Sequence, residues 1–259
     1  MPKLSIITIN YNNLEGLKRT VESVVNQTWQ EFEYIVIDGG STDGSAAHLE
    51  SQATHFDYWV SEPDAGIYNA MNKGIQKAAG DYLLFLNSGD HLFSSSVLLD
   101  NHEFLKEKDL VCFDLKVADF NQVLQKTYPE NIFFQFFLND SLPHPSTFIK
   151  AVLFDKVGLY DESLKIVSDW KFLMVCVCKF GASYLKINKT MSVFYLDGIS
   201  SSSENRELLL EEREQVLNDE FPYFIKEIKE LNYLRGVVSN LRKSRKIKWL
   251  IKLGWIDSF

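Results

Sequence analysis

The chain has 259 residues, 46% hydrophobic and 24% charged, with 27 Lys plus Arg against 35 Asp plus Glu and a net charge of −8. That is enough apolar material for a core, which excludes global disorder. Thirteen Gly and 6 Pro exclude collagen-like and low-complexity chains. The length fits one large α/β domain, or one domain with a small appendage.

The first ninety residues alternate between two periods. Leu4–Ile9 is a β-branched apolar run bounded by Pro2 and Asn10, which predicts a buried parallel strand. Asn12 and Asn13 are capping residues, and Leu14, Leu17, Val21, Val24 and Val25 follow at helical spacing. Tyr34–Ile37 is a second short strand ending at Asp38, and residues 39–44 (GGSTDG) turn into another helix. Tyr58–Val60 is a third strand. Residues 65–79 read as a helix that Gly80 caps, and Tyr82–Leu86 as a fourth strand that stops at Asn87-Ser88-Gly89-Asp90. The pattern β-α-β-α-β-α-β predicts a doubly wound sheet with right-handed crossovers.

Residues 100–205 are less regular. They hold the aromatic stretch Phe133, Phe134, Phe136 and Phe137, the turn Leu142–Ser146 and a helical run Trp170–Lys179. From about Glu204 the chain reads as helices. The expected divisions are 1–100, the first half of a domain; 101–205, the second half of the same domain; and 206–259, a helical extension with a basic amphipathic tail.

Three cysteines, Cys112, Cys176 and Cys178, are too few and odd in number for a disulfide scaffold. No partners stand at zinc spacing, so they read as core thiols of a reducing cytoplasm. The chain opens directly into a strand, without the pattern of a signal peptide. No apolar run approaches the ~20 residues of a spanning helix. The expectation is a cytoplasmic protein.

Charge is unevenly placed. Between Leu231 and Ile256 stand Arg235, Arg242, Lys243, Arg245, Lys246, Lys248 and Lys252, with no acidic residue. That segment carries +7, so the rest carries −8 − 7 = −15. With Trp249 and Trp255 it has the composition of an interfacial helix, implying peripheral membrane contact through 231–256. A helix packed on the acidic domain or on a second copy in a homo-oligomer is the alternative. Nucleic acid is disfavoured, because −15 repels phosphate backbones.

The chemistry-bearing residues lie where strands end, and doubly wound sheets bind ligands there. Four polar groups converge on that rim: Asn10-Tyr11-Asn12, Asp38-Gly39-Gly40, Ser61–Asp64 and Asn87–Asp90. There is no Gly-x-Gly-x-x-Gly after the first strand, no Walker A sequence and no Gly-x-Ser-x-Gly elbow. Asp38 suits a carboxylate accepting a base N–H, or a turn residue. Asp90 suits a hard divalent cation shared with a diphosphate, or a plain turn.

Several segments taken together resemble glycosyltransferase family 2. They are Ser5–Asn12, Asp38-Gly39 with Ser41–Gly44, Asp64–Gly74, and Gly80–Tyr82 running into Leu86–Asp90. The resemblance is strong over residues 3–100 and looser to about 205. It is greatest to bacterial enzymes of capsule, exopolysaccharide and O-antigen synthesis, including the colanic-acid type. It implies a GT-A fold: a single Rossmann-like, doubly wound mixed sheet with helices on both faces. It also implies a nucleotide-sugar donor, inversion at the anomeric carbon and a glycan or lipid-linked acceptor.

Carried over residue by residue, Thr8, Asn10 and Tyr11 match the nucleoside-packing rim and Asp38 the base contact. That position suits uracil, so UDP is the expected nucleotide. Asp64 and Gly66 match the ribose–diphosphate segment. Asn87 and Ser88 to Asp90 stand in place of the Asp-x-Asp motif. Asp90 is its only carboxylate, so Mg²⁺ or Mn²⁺ would bind there with Asn87, and His144 is a further candidate ligand. Asp169 matches the general base at a helix start, with Ser168 in place of the family's Glu; a capping role is its alternative. His144 matches a recurring His near diphosphate or acceptor, or serves packing. Tyr195, Gly198 and Ser200 resemble a lid over the donor, or a solvated linker. The competing functions are a non-catalytic nucleotide-sugar-binding scaffold and, less favoured, a nucleotidyltransferase.

Overall fold

The computed structural model describes residues 2–106, 108–118, 122–196 and 203–257. The chain divides into two compact units, Met1–Leu210 and Glu211–Phe259.

In the first unit β1 (Leu4–Asn10), β2 (Phe32–Asp38), β3 (Tyr58–Ser61) and β4 (Tyr82–Phe85) alternate with α1 (Leu14–Val25), α2 (Ser45–Ser51) and α3 (Ile67–Lys77). Next come β5 (His91–Leu92), β6 (Leu110–Ala118), β7 (Val123–Lys126), α4 (Phe134–Asn139) and β8 (Thr147–Lys150). The unit continues with α5 (Val152–Val157), α6 (Ser168–Cys178) and β9 (Tyr184–Tyr195). The sheet order is β3-β2-β1-β4-β8-β6-β9-β5, with β7 beside β6. β1 to β4 are parallel, whereas β8 runs antiparallel to both β4 and β6. This is a mixed sheet, and the aperiodic stretch after residue 100 supplies the antiparallel β8.

Every residue of β1 is buried, because period-2 alternation sends apolar side chains to both faces. Leu4 and Ile6 join the cluster of Leu17, Val21 and Val24 from α1. Ile7 faces α3, where a Cβ on Gly74 would come within 2.5 Å of its Cγ2. On that same side Phe85 meets Tyr160 at 5.4 Å, and Phe154 stacks on Phe172 at 4.2 Å.

Asn13 caps α1 as expected, its Oδ1 accepting the Gly16 N–H at 3.1 Å. Gly80 is not the cap of α3. The helix stops at Lys77, and Ala78 takes an extended conformation (φ −66°, ψ 134°). Gly80 serves close approach instead: its N–H donates to Ser5 Oγ at 2.9 Å, and a Cβ would lie 2.5 Å from that oxygen. Cys112 and Cys176 are buried and Cys178 half-buried, all as free thiols.

α7 (Arg206–Glu220) runs across the boundary between the units. The second unit continues as α8 (Pro222–Lys243) and α9 (Arg245–Lys252). On α9 and just beyond it, Trp249 and Trp255 are exposed, with ring centroids 6.3 Å apart. Among the described residues no helix is long and apolar enough to cross a membrane.

Candidate active site

Parallel register places the first part of the site. Asn10 pairs with Asp38, and Asp38 with Ser61, so three strand ends stand side by side. Asp38 is fully buried. Its Oδ1 accepts from Asn10 Nδ2 at 2.6 Å and Ser41 Oγ at 2.6 Å. Its Oδ2 accepts from Ser61 Oγ at 2.6 Å and the Ser41 N–H at 2.9 Å. Burial alone would raise the Asp38 carboxyl, but these donors outweigh it and hold the group below the usual carboxylate range. Asn10 Oδ1 is buried with no hydrogen-bond partner.

The neighbouring residues divide between core and rim. Thr8 is buried, its hydroxyl 3.0 Å from the Tyr34 hydroxyl. Tyr11 is 67% exposed. Gly39 lets Tyr11 and Asp64 close around it: a Cβ there would overlap the Asp64 carboxylate and lie 3.2 Å from the Tyr11 ring. Asp64 Oδ1 accepts the Gly66 N–H at 2.9 Å, and Gly66 sits at φ +121° ahead of α3.

The second part gathers four elements. Asn87 follows β4, His144 stands in the turn before β8, Asp169 lies in the first turn of α6, and Tyr68 lies in α3. Tyr68 donates to Asp169 Oδ1 at 3.0 Å. His144 Nδ1 is 3.4 Å from Asp169 Oδ2, and its Nε2 is 3.2 Å from Asn87 Nδ2. The tautomer with Nδ1–H fits both contacts, donating to the carboxylate and accepting from the amide.

Burial would raise the Asp169 carboxyl, but His144, the Trp170 N–H and Tyr68 hold it below the ordinary range. Burial would lower His144, but the Asp169 hydrogen bond and charge and the Asp90 charge hold it above. Asp169 is therefore ionised at neutral pH. It is not the cap of α6; Val167 takes that position without a side-chain bond. Ser168 Oγ instead accepts the Asp161 N–H at 2.6 Å.

The segment 87–90 is pinned to α1. The Thr20 hydroxyl accepts the Gly89 N–H at 3.0 Å and donates to the Asp90 carbonyl at 2.6 Å. Arg19 Nε donates to the Gly89 carbonyl at 2.9 Å, and the Arg19 guanidinium lies 3.9 Å from the Tyr195 ring centroid. Asn13 Nδ2 donates to the Ser88 carbonyl at 3.1 Å. The Tyr195 N–H donates to Asp90 Oδ1 at 3.3 Å, tying the end of β9 to the same loop. Gly198 and Ser200 lie outside the described residues.

Asn87 Oδ1 is buried without a partner, and Asp90 is 5% exposed. These are oxygen donors of the kind Mg²⁺ and Mn²⁺ prefer, and an unpartnered buried oxygen fits a cation completed by a substrate diphosphate. Both ring nitrogens of His144 are already engaged, which leaves the oxygens as the better donors. Among the described residues no group of three or more His, Cys, Asp or Glu side chains is placed to hold a metal unaided.

Asp38, Asn87, Asp90, His144 and Asp169 are legible in the sequence, but their contacts are not. Arg19, Thr20 and Tyr68 are not marked there. Tyr68 stood within a quoted motif, and only its hydroxyl on Asp169, across 101 residues of sequence, marks it.

Known proteins share this architecture. The sequence pattern of Glycosyl transferase family 2 matches residues 5–155. An uncharacterized glycosyltransferase of Mycobacterium tuberculosis is 38% identical over 181 residues, covering 67% of this chain and 68% of its own. A PGL/p-HBAD biosynthesis glycosyltransferase of Mycobacterium bovis is 28% identical over 181 residues, covering 68% and 70%. Residues 1–349 of S. aureus TarS, solved with UDP, superpose at a TM-score of 0.62 with 22% identity, over 74% of this chain and 60% of that one. The mannosyltransferase PcManGT from Pyrobaculum calidifontis, solved with GDP-Man and Mn²⁺, gives 0.56 and 15% over 74% and 56%. The chain thus spans 60% and 56% of these two solved chains. The fold is that of the GT-A glycosyltransferases. The chain belongs to glycosyl transferase family 2 and is a glycosyltransferase.

Proposed function

We propose that this chain is an inverting glycosyltransferase that moves a sugar from a UDP-sugar to a glycan or lipid-linked acceptor in bacterial surface polysaccharide synthesis. The observation that carries the reading is Asp169, ionised and held between Tyr68 and His144 beside the strand-end rim. Asp169 takes the proton of the acceptor hydroxyl, and the freed oxygen attacks the anomeric carbon. The bond from that carbon to the diphosphate breaks, its electron pair leaving on the diphosphate oxygen. One base and one displacement give inversion.

Thr8, Asn10, Tyr11, Asp38, Asp64, Gly66, Asn87 and Ser88 form the donor side. Asn87 Oδ1 and Asp90 would hold Mg²⁺ or Mn²⁺, which supplies positive charge to the departing diphosphate. UDP is supported by the likeness to TarS, which was solved with UDP. The domain roles 1–100 (donor), 101–205 (acceptor and base) and 206–259 (helical extension) belong to the same reading. So does a cytoplasmic site of action, with Tyr195 opening a lid.

The basic segment 231–256 would hold the enzyme on the inner face of an anionic membrane. The support is α9, which places Lys246, Lys248 and Trp249 exposed on a short amphipathic helix. Liposome sedimentation of full-length protein and of protein ending at Glu230 tests this. Binding lost on truncation agrees, and equal binding removes the anchor.

A screen of UDP-, GDP- and dTDP-sugars for release of nucleotide, with and without Mn²⁺, tests the transferase itself. Turnover of a UDP-sugar is expected. Tight UDP binding with no turnover of any donor would instead favour the scaffold.

A further inference from the structure

A cavity of about 380 Å³ opens between the start of α3, the turn 162–166 and the start of α7, within the size range of small-molecule sites. A smaller one of about 70 Å³ reaches His144 and Asp169. Ile67, Tyr68, Lys165 and Ile166 line both, so the larger space leads to the carboxylate.

Tyr68, Asn69, Glu162 and Ser163 on the larger wall are already hydrogen-bonded. Asn69 Nδ2 donates to Glu162 Oε2 at 2.9 Å, and Asn69 Oδ1 accepts the Ala65 N–H at 3.2 Å. Glu162 Oε1 accepts from Asn72 Nδ2 at 2.8 Å. Ser163 Oγ donates to Asp161 Oδ1 at 2.6 Å, and the Tyr68 hydroxyl is on Asp169. The rest of the wall is Ala65, Ile67, Leu164, Ile166 and Leu208, together with the polar side chains of Lys165 and Asn205, neither of which is without a partner. A bare sugar needs unengaged donors and acceptors, because a buried hydroxyl left unpaired is penalised. An apolar group needs none, and gains by leaving water.

We propose that this cavity seats an apolar aglycone, aromatic or alkyl, attached close to the acceptor hydroxyl, so that the hydroxyl falls at Asp169. The proposal rests on the reading of Asp169 as the base. It defines the acceptor as a glycoside or phenol-like molecule with an apolar group next to the reacting oxygen, rather than a wholly polar oligosaccharide.

The test is direct binding to the full-length chain, with phenyl β-D-glucopyranoside and methyl β-D-glucopyranoside as probes. Calorimetry should find the phenyl glycoside bound about tenfold more tightly, the scale on which apolar pockets discriminate. Saturation-transfer NMR should place the strongest contact on the ring protons. Leu208→Asn, and Ala65→Trp at the exposed mouth, should each erase the difference while the melting temperature shows the variants folded. Equal affinity for the two probes, or a phenyl preference that survives both substitutions, overturns the proposal. UDP titrated into the same wild-type sample reads the donor side separately. Absent UDP binding with the phenyl preference intact would sink the UDP-sugar reading and leave the apolar site standing.

Discussion

Two carboxylates of the site are held in different ways, Asp38 at the end of β2 and Asp169 in the first turn of α6. Asp38 is fully buried, and four donors from Asn10, Ser41 and Ser61 fill both of its oxygens. Asp169 keeps 18% of its side chain exposed, is held by Tyr68 and His144, and borders a cavity. Both are held below the usual carboxylate range, yet the causes differ: neutral strand-end donors for one, a histidine and a tyrosine for the other. A filled carboxylate fixes the shape of a site, whereas one with an open side can receive a proton. The contrast teaches that a lowered pKa alone does not identify the reacting group.

The comparison breaks most visibly at Asp169. Asp169→Asn should cut transfer by about 10²–10⁴-fold, the usual range for a positioned base, while the melting temperature stays close to wild type. A steady-state transfer assay beside a thermal melt reads both. Asp38→Asn should do the reverse to the fold. It turns an acceptor of four hydrogen bonds into an amide whose NH₂ faces donors, costing about 2–3 kcal/mol of stability by urea titration.

Tyr68→Phe is a smaller change. It removes one donor from Asp169 Oδ1, so the Asp169 carboxyl rises, and the acid limb of the kcat/KM profile should move to higher pH. The accompanying fall in kcat should be about tenfold.

The smallest effect is electrostatic. His144 is raised in the folded chain, so its contribution to stability is present below its unfolded value of about 6.5 and lost as pH rises through the folded one. Asp38 and Asp169 are lowered, so theirs is present above about 3.9 and lost as pH falls through the folded values. His144→Gln should therefore remove the loss of stability that sets in as pH rises above about 6.5 and leave the acid-side loss in place, as urea melts across pH would record.

What could be read from sequence follows from which interactions are local. β1 to β4 and their helices carry periodic apolar residues, and the Asn13 cap lies three residues from the N–H it binds. Asp169 is legible through the family resemblance, which matches it to a base at a helix start, and it lies in the first turn of α6. The antiparallel insertion of β8 between β4 and β6 left no such mark, because short buried strands look alike in either direction. The hydrogen bonds of His144 with Asn87 and of Tyr68 with Asp169 join residues 57 and 101 positions apart, and only the folded chain brings them together. Gly80 misled for a related reason. A glycine near a helix end suggests a cap, whereas here the chain needs it to pass against Ser5 two residues beyond Ala78.

The division of labour is tested most directly by calorimetry of UDP with two variants, each below its melting temperature. Asp38→Asn should weaken UDP by about tenfold or more, and Asp169→Asn should leave it within about twofold of wild type. Equal weakening in both, or loss confined to Asp169→Asn, would contradict the assignment of Asp38 to the donor side and Asp169 to the proton.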